Sequence, residues 1–210
     1  MARGDADASG RSPRGPVAAV ILAAGTSSRL GRSKLFLSLG GRSVILRVVQ
    51  TALASRVMET VVVLGHEAER VAREIADLPV RTVLNPDYAS GMASSLRVGL
   101  QVVSPDAEAA LILLGDQPLV TPEVIERIIE TFEASDKPIA APVYNGVQGN
   151  PVCFSRALFP ELSALTGDRG AKAIVEQDPR RVEWVAFEMD LPLLDLDVEE
   201  DYDALRRHFS

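Results

Sequence analysis

The chain has 210 residues, of which 47% are hydrophobic and 24% charged, and its formal net charge at pH 7 is −7. This length suits one globular domain with a sizeable core. The acidic balance gives no electrostatic support for a nucleic-acid or membrane partner, so neither is expected, and a small anionic substrate needs a local basic pocket.

The first 16 residues are rich in Gly, Ala, Ser and Arg and lack the apolar stretch of a secretory signal. We expect residues 1–16 to be a disordered tail and residues 17–210 to form a single domain. The apolar runs are shorter than the roughly 18 residues of a membrane span. The single cysteine, Cys153, lies in an apolar run. We expect it to be a buried thiol, which fits a reducing, cytoplasmic compartment.

Apolar strand patterns alternate with helical patterns along the chain. Strands are predicted over residues 17–23, 60–64, 80–84, 109–114, 139–143, 182–187 and 193–196, and a short strand is predicted to end at residue 154. Helices are predicted over residues 43–54, 67–76, 94–103, 156–165 and 199–208. Two more helices are predicted to begin after the cap residue 121 and near residue 171. This alternation indicates an α/β fold with a mostly parallel sheet covered on both faces. Ligands of such sheets bind beyond the carboxyl ends of the strands.

The first strand leads into a loop of small residues, from Gly25 to Lys34, that carries two cations. Small residues let backbone N–H groups approach a polyphosphate, and Arg29 and Lys34 neutralise its charge. The glycine spacing matches neither the Walker motif nor the dinucleotide-binding fingerprint. The alternative is an ordinary loop with solvated charges.

Carboxylates follow two of the predicted strands. Asp116 comes after the strand over 109–114, and Asp195 and Asp197 close the strand over 193–196, where alternate residues face the same side. Mg²⁺ commonly takes one or two carboxylates together with waters and substrate phosphate. The alternatives are a turn residue for Asp116 and a helix cap for Asp197. Together with the glycine loop, these carboxylates predict a site for an NTP and Mg²⁺.

Two further polar stretches are candidates for substrate binding. Asn85 and Ser95 flank a glycine loop, and Asp168 and Lys172 stand where a late helix begins. A helix N-terminus attracts anions, although plain capping explains such residues equally well.

The order of these motifs resembles that of the MobA-like NTP transferases, in the branch that contains molybdenum cofactor cytidylyltransferase. The first motif reads Leu22-Ala23-Ala24-Gly25-x-Ser27-x-Arg29-Leu30-Gly31-x-x-Lys34. The later motifs read Asn85, Gly91-Met92-x-x-Ser95-Leu96-x-x-Gly99, Gly115-Asp116-Gln117-Pro118 and Gly167-Asp168-x-Gly170-Ala171. The resemblance covers residues 17–207.

The resemblance implies a Rossmann-like, doubly wound, three-layer α/β/α fold of the GT-A type, mostly parallel with a late antiparallel strand. It implies that Arg29, Lys34 and Asp116 are catalytic, and that Asp116 binds Mg²⁺ with Asp195 or Asp197. The implied nucleotide-binding residues are Leu22, Ala23, Ala24, Gly25, Ser27, Arg29, Lys34, Asn85, Ser95 and Asp116. The implied acceptor-binding residues are Gln117, Gly149, Asn150, Asp168 and Lys172.

The resemblance also implies a reaction, the transfer of CMP from CTP to the phosphate of molybdopterin or molybdenum cofactor. Ala24 favours CTP, because the guanylyl branch tends to carry Gly there. The family's cytidylyl enzymes usually read Arg-Gly-His-Pro where this chain reads Gln148-Gly149-Asn150-Pro151, so the identity of the acceptor is open.

Several other functions stay open at this stage. Two are enzymes of the same chemistry, a guanylyltransferase of the same pathway and a sugar- or polyol-phosphate nucleotidyltransferase. A third is a non-catalytic carrier that hands molybdenum cofactor to a molybdenum enzyme, against which the retained charged residues argue. A nicotinamide oxidoreductase is disfavoured by the glycine spacing and by the lack of an acidic ribose ligand.

Overall fold

The structure is a computed structural model that describes residues 14–26, 33–189, 192 and 199–209. The predicted site residues Ser27, Arg29, Asp195 and Asp197 lie outside these ranges, as does the predicted strand over 193–196. No helix in the described part of the chain is both long and apolar enough to cross a bilayer.

Strands and helices alternate along the described chain. The strands are β1 (Val17–Ala23), β2 (Ser38–Leu39), β3 (Arg42–Ser43), β4 (Glu59–Leu64), β5 (Arg81–Leu84), β6 (Ala109–Leu114), β7 (Ile139–Tyr144), β8 (Val147–Gln148), β9 (Val152–Ser155) and β10 (Val182–Phe187). The helices are α1 (Val44–Leu53), α2 (Ala68–Glu74), α3 (Met92–Val102), α4 (Pro122–Ala134), α5 (Phe159–Ser163), α6 (Lys172–Gln177) and α7 (Glu199–His208). Short 3₁₀ helices cover Lys34–Phe36, Tyr88–Ser90, Arg156–Leu158 and Pro179–Arg181.

The main sheet has the strand order β10-β7-β9-β6-β1-β4-β5, with β8 paired to β7 outside this path. Its pairs are parallel except those of β9 with β6 and β7 and that of β8 with β7. The hairpin of β2 and β3 is a separate antiparallel pair. The predicted α/β class, with a mostly parallel sheet and a late antiparallel strand, is confirmed.

Helices cover both faces of the sheet and give two cores. The core on one face includes residues of α1, α2 and α4: Ile45, Val71 and Ile128. The core on the other face includes residues of α3, α5 and α6: Leu96, Leu162 and Ile174. Alternate residues of β1 serve the two cores, as Ile21 joins the first and Val20 the second. A strand buried on both faces has no polar positions, which explains the continuous apolar run in the sequence.

Two helices begin at caps that the sequence contains. The Ser43 hydroxyl accepts a hydrogen bond from Leu46 N at the start of α1. The Thr121 hydroxyl accepts one from Val124 N at the start of α4, with Pro122 in the first turn. Each cap satisfies a backbone donor that lacks a partner within the helix.

The structure adds the short strands β2, β3 and β8 to the predicted elements, and it differs from the predictions at one helix and at the tail. The helix predicted over 156–165 is a 3₁₀ turn followed by the short α5, which ends at Ser163. Residues 14–16, assigned to the disordered tail, are bonded to the domain. Arg14 donates to Lys137 O at 2.9 Å, and Gly15 N donates to Glu108 Oε2 at 2.9 Å. Cys153 is buried as predicted, and burial raises the pKa of its thiol.

We predict that Gly99→Ala destabilises the protein although alanine is the better helix former. A Cβ at Gly99 of α3 would lie 2.6 Å from Val20 Cγ1 and 2.9 Å from Val63 Cγ2. Such overpacking costs about 1–3 kcal/mol, which outweighs the helix-propensity gain of about 0.5–1 kcal/mol. Urea unfolding measures the change. The control Gln101→Ala, at an exposed position of the same helix, should change stability by about 0.5 kcal/mol or less. A Gly99→Ala protein as stable as the wild type would contradict the close packing.

Candidate nucleotide and metal site

The site is built where the central strand β1 ends beside β6. The two strands pair in parallel with Leu22 opposite Leu114, and Gly115 N donates to Leu22 O at 2.9 Å. A Cβ at Gly115 would lie 3.1 Å from that same oxygen, so glycine permits this close approach. The pairing brings the loop after β1 and the loop after β6 to one edge of the sheet.

Lys34 and Asp116 meet at this edge. Lys34 is the first residue of the 3₁₀ helix that follows the glycine loop, and its ammonium forms an ion pair with Asp116 Oδ2. The two side chains are 17% and 18% exposed, so solvent still reaches both charges. The structure thus brings together the cation and the carboxylate that the sequence predicted for an NTP and its metal.

The neighbouring strand β4 also approaches this edge closely. His66 N donates to Ala24 O at 3.2 Å, just after β4 ends. A Cβ at Gly65 would lie 2.6 Å from the Cβ of Ala24 and 2.7 Å from that of Tyr88. Sequence analysis missed Gly65, although a glycine directly after a buried strand is a typical sign of close backbone approach. The end of β1 is therefore contacted from both sides, Ala24 by the residues after β4 and Ala23 by Gly115 after β6.

The end of the glycine loop is anchored at Ser33. The Ser33 hydroxyl hydrogen-bonds to Glu67 and lowers the pKa of that carboxyl, helped by a smaller contribution from Arg70. Arg70 pairs with Glu67 at 3.0 Å and lies 3.8 Å above the ring of Phe36. Glu67 itself has a left-handed φ of 55°. These contacts hold the segment around Lys34 against the start of α2.

A third, small core lies against the two segments that bear Lys34 and Asp116. It contains Leu37, three residues after Lys34, Leu119, three residues after Asp116, and Leu205 of α7. Leu205 is fully buried there. The carboxyl-terminal helix thus packs against both segments that bear the pair.

Polar contacts strengthen the attachment of α7. The Tyr202 hydroxyl donates to Ser38 O at 2.9 Å. The guanidinium of Arg47 lies 4.0 Å above the ring of Phe209, and Arg47 Nε donates to Leu39 O at 2.7 Å. Sequence analysis did not find this cluster, because its members are spread from residue 37 to residue 209.

Asn85 and Ser95 lie together but are deeply buried, at 1% and 4% exposure. Asn85 Nδ2 donates to Ser94 Oγ at 2.8 Å and to Ser95 Oγ at 2.9 Å. Its Oδ1 accepts from Asp87 N at 3.0 Å. The amide of Asn85 therefore ties the end of β5 to the first turn of α3, and contact of Asn85 and Ser95 with a base stays a prediction.

Asp168 precedes α6 in the sequence, but its side chain caps α3. Its Oδ1 accepts from Met92 N, at the start of α3, at 3.3 Å, and Ala93 N donates to Gly167 O at 3.0 Å. A carboxylate at this end of a helix is favourable. Lys172 is 62% exposed and pairs with Glu176 one turn along α6. Acceptor binding by Asp168 and Lys172 stays a prediction.

The loop that contains Gly149 and Asn150 lies beside the end of β6. Gly149 N donates to Pro142 O of β7 at 3.2 Å, and Val152 at the start of β9 pairs with Ile112 of β6. Since Ile112 is two residues from the end of β6, the preceding loop residues reach the carboxyl edge of the sheet. Gln117, which follows Asp116, is 5% exposed.

The described residues offer a metal few ligands. Among the residues that the structure describes, no group of three or more His, Cys, Asp or Glu side chains is arranged to hold a metal. One partly exposed carboxylate, Asp116, suits Mg²⁺, which keeps several waters and binds substrate phosphates. The residues present therefore fit a cation that arrives with an NTP better than a metal held by the protein alone.

Comparisons with known proteins agree with this geometry. The family model "MobA-like NTP transferase domain" matches residues 19–182. Nicotine blue oxidoreductase from Paenarthrobacter nicotinovorans is 31% identical over 178 residues, which cover 80% of this chain and 86% of that protein. The match to the bifunctional protein GlmU of Paenarthrobacter aurescens (strain TC1), at 29% identity, covers 78% of this chain but only 34% of GlmU.

Solved structures are similar over nearly the whole chain. Rv0371c from Mycobacterium tuberculosis H37Rv has a TM-score of 0.85 and 33% identity, with 93% of this chain and 100% of that chain covered. A complex of Rv0371c with manganese has a TM-score of 0.81 and 31% identity, with 92% and 99% covered. The chain therefore belongs to the MobA-like NTP transferase family and is a nucleotidyltransferase by family and by fold.

Proposed function

We propose that the protein transfers CMP from CTP to the phosphate of molybdopterin or molybdenum cofactor in a Mg²⁺-dependent reaction. The observation that carries this proposal is the Lys34–Asp116 pair at the joined carboxyl ends of β1 and β6. Asp116, proposed to bind a cation, and Lys34, proposed to bind phosphate, lie side by side there, next to a loop of small residues.

The reaction forms one bond and breaks one. A phosphate oxygen of the acceptor attacks the α-phosphorus of the NTP, and the bond from that phosphorus to the bridging oxygen breaks as pyrophosphate leaves. The attacking oxygen is already an anion, so no general base is needed. The barrier is charge repulsion and misalignment, which bound cations and positioning groups lower.

Asp116 is proposed as the protein ligand of the cation, joined by Asp195 or Asp197. When bound, Mg²⁺ neutralises negative charge on the phosphate oxygens. The related Rv0371c has been solved in complex with manganese, which supports the use of a divalent cation. With Asp116 engaged by the cation, the Lys34 ammonium stabilises charge on the phosphates, and Arg29 is proposed to share this role.

CTP and the acceptor are assigned from the sequence motifs. Ala24, which packs against Gly65 after β4, supports CTP over GTP. Leu22, Ala23, Gly25 and Ser27 complete the proposed triphosphate loop. Gln148 and Asn150 offer uncharged amides, which suit hydrogen-bonding groups of an acceptor. A guanylyltransferase or a sugar- or polyol-phosphate nucleotidyltransferase would use the same catalytic pair.

One observation favours a second candidate function. A relative with 31% identity is named as an oxidoreductase, nicotine blue oxidoreductase. An oxidoreductase on this fold needs a bound redox cofactor or substrate at the same edge. The Lys34–Asp116 pair supports nucleotidyl transfer instead, because an ammonium and a carboxylate beside a loop of small residues suit a polyphosphate and its cation.

We predict that Asp116→Ala abolishes metal-dependent turnover, a loss of about three orders of magnitude or more in kcat. The reason is the loss of the cation's ligand. Pyrophosphate release measured across a Mg²⁺ titration reports the effect. The control is Asp106→Ala, which removes an exposed carboxylate near the opposite end of β6 and should leave turnover unchanged. Wild-type turnover in Asp116→Ala would refute the metal assignment.

Lys34→Ala should slow chemistry more than it weakens binding. We expect kcat to fall about 10²- to 10³-fold while the KM for the NTP changes by less than about fivefold, because the ammonium stabilises charge that develops in the transition state. Steady-state kinetics separate the two effects. Lys137→Ala, which removes a lysine at the opposite edge of the sheet, is the matched control. A rise in KM with unchanged kcat would show that Lys34 only binds substrate.

The proposed function is tested by a panel of nucleotides and acceptors. CTP, GTP, UTP and ATP are each combined with molybdopterin and with sugar phosphates, and pyrophosphate release is measured. Release with CTP and molybdopterin alone is expected. Thermal stabilisation by Mg²⁺ and an NTP without turnover on any acceptor would oppose the proposed transfer, and no stabilisation by any NTP would favour a cofactor carrier. Oxidation of NADH or NADPH without pyrophosphate release would favour an oxidoreductase.

A further inference from the structure

Backbone bonds to β7 hold the first part of the loop that bears Gly149 and Asn150. Residues 145–147 are exposed and residues 148–150 are half-buried. Asn145 and Gly146 have left-handed φ values of 45° and 88°, which turn the chain back toward β7. The returning strand β8 pairs with the end of β7, and Gly149 N donates to Pro142 O at 3.2 Å. Asn150 lies beyond this pairing, and a contact with the core fixes its carbonyl.

Tyr144, the last residue of β7, provides that contact. Its hydroxyl donates to the backbone oxygen of Asn150 at 2.8 Å. Its side chain is fully buried, and its ring stacks on Phe187 with centroids 5.3 Å apart and planes at 28°. The guanidinium of Arg127 covers Phe187 from the α4 side at 5.0 Å. The position of the hydroxyl is therefore fixed by packing that the loop does not share.

The hydroxyl is the one part of Tyr144 that packing does not require. A phenylalanine would fill the same volume and stack on Phe187 equally well, so the phenol oxygen serves its hydrogen bond. Burial raises the pKa of this phenol, which therefore stays protonated and a donor in the ordinary pH range. A donor that the core holds rigidly can fix the position of a loop carbonyl and, with it, of a binding residue.

We propose that Tyr144 is a positioning residue for acceptor binding, which holds the Gly149–Asn150 segment at the carboxyl edge of β6 and so sets the affinity for the acceptor. The inference rests on the proposed function, in which this segment faces the acceptor. In the sheet, β9 lies between β7, which bears Tyr144, and β6, which leads to Asp116. The effect of the Tyr144 bond is therefore expected mainly in the acceptor half of the site.

The test is Tyr144→Phe, which keeps the ring and removes the hydrogen bond. We expect the KM for the acceptor to rise about tenfold, while the KM for the NTP stays within about twofold of the wild-type value. The comparison variant is Tyr202→Phe, which removes an equivalent bond from a hydroxyl to a backbone oxygen at Ser38. It should leave the acceptor KM unchanged. A wild-type acceptor KM in active Tyr144→Phe, or an equal rise in both KM values, would overturn the proposal.

Hydrogen exchange gives a second readout that does not need turnover. Amides of residues 146–150 should exchange at least tenfold faster in Tyr144→Phe than in the wild type, while amides of β6 and β9 keep their rates. Unchanged exchange rates of these amides would also contradict the positioning role. If the wild type shows no transfer to any acceptor, the proposed function fails, and the exchange experiment still decides whether Tyr144 holds the segment.

Discussion

The parallel pairing of β1 with β6 is the constraint on which the site depends. Because Leu22 lies opposite Leu114, the two strands end level with each other, and Lys34 and Asp116 follow from the same edge. Neither strand has a polar position that would let it lie at the surface, so both must stay buried in the sheet. A shift of register by one residue would exchange the cores on the two faces as well as separate the pair.

The edge of the sheet is stabilised by parts of the chain that are remote in sequence. Gly65 lets β4 approach Ala24, Glu67 holds Ser33, and Leu205 packs against the segments after Lys34 and Asp116. A group that binds a polyphosphate is best pre-organised, because the entropy lost in ordering it on binding would otherwise weaken the affinity. The small third core, which packs against the segments after Lys34 and Asp116, contributes to this rigidity.

The attraction of an anionic substrate depends on local charges in this protein and not on its net charge. With a formal charge of −7, the chain as a whole repels an anionic substrate, so attraction requires local cations such as Lys34. Lys34 keeps about one-sixth of its side chain exposed beside Asp116. The loop over residues 145–151, in the proposed acceptor half, has no charged side chain, and Tyr144 bonds to its Asn150 carbonyl.

The sequence by itself determined the elements and the family. The strands over 109–114 and 182–187 and the helix over 199–208 have the predicted bounds, because continuous apolar runs and capping residues are local signals. Only the tertiary structure decided that Lys34 meets Asp116, that Asp168 caps α3 across 76 residues, and that Tyr144 holds Asn150. Ser27, Arg29, Asp195 and Asp197 stay predictions of the sequence. The difference has a physical cause: periodicity reports which face of an element is buried, whereas contacts between distant segments depend on the strand order, which local patterns do not encode.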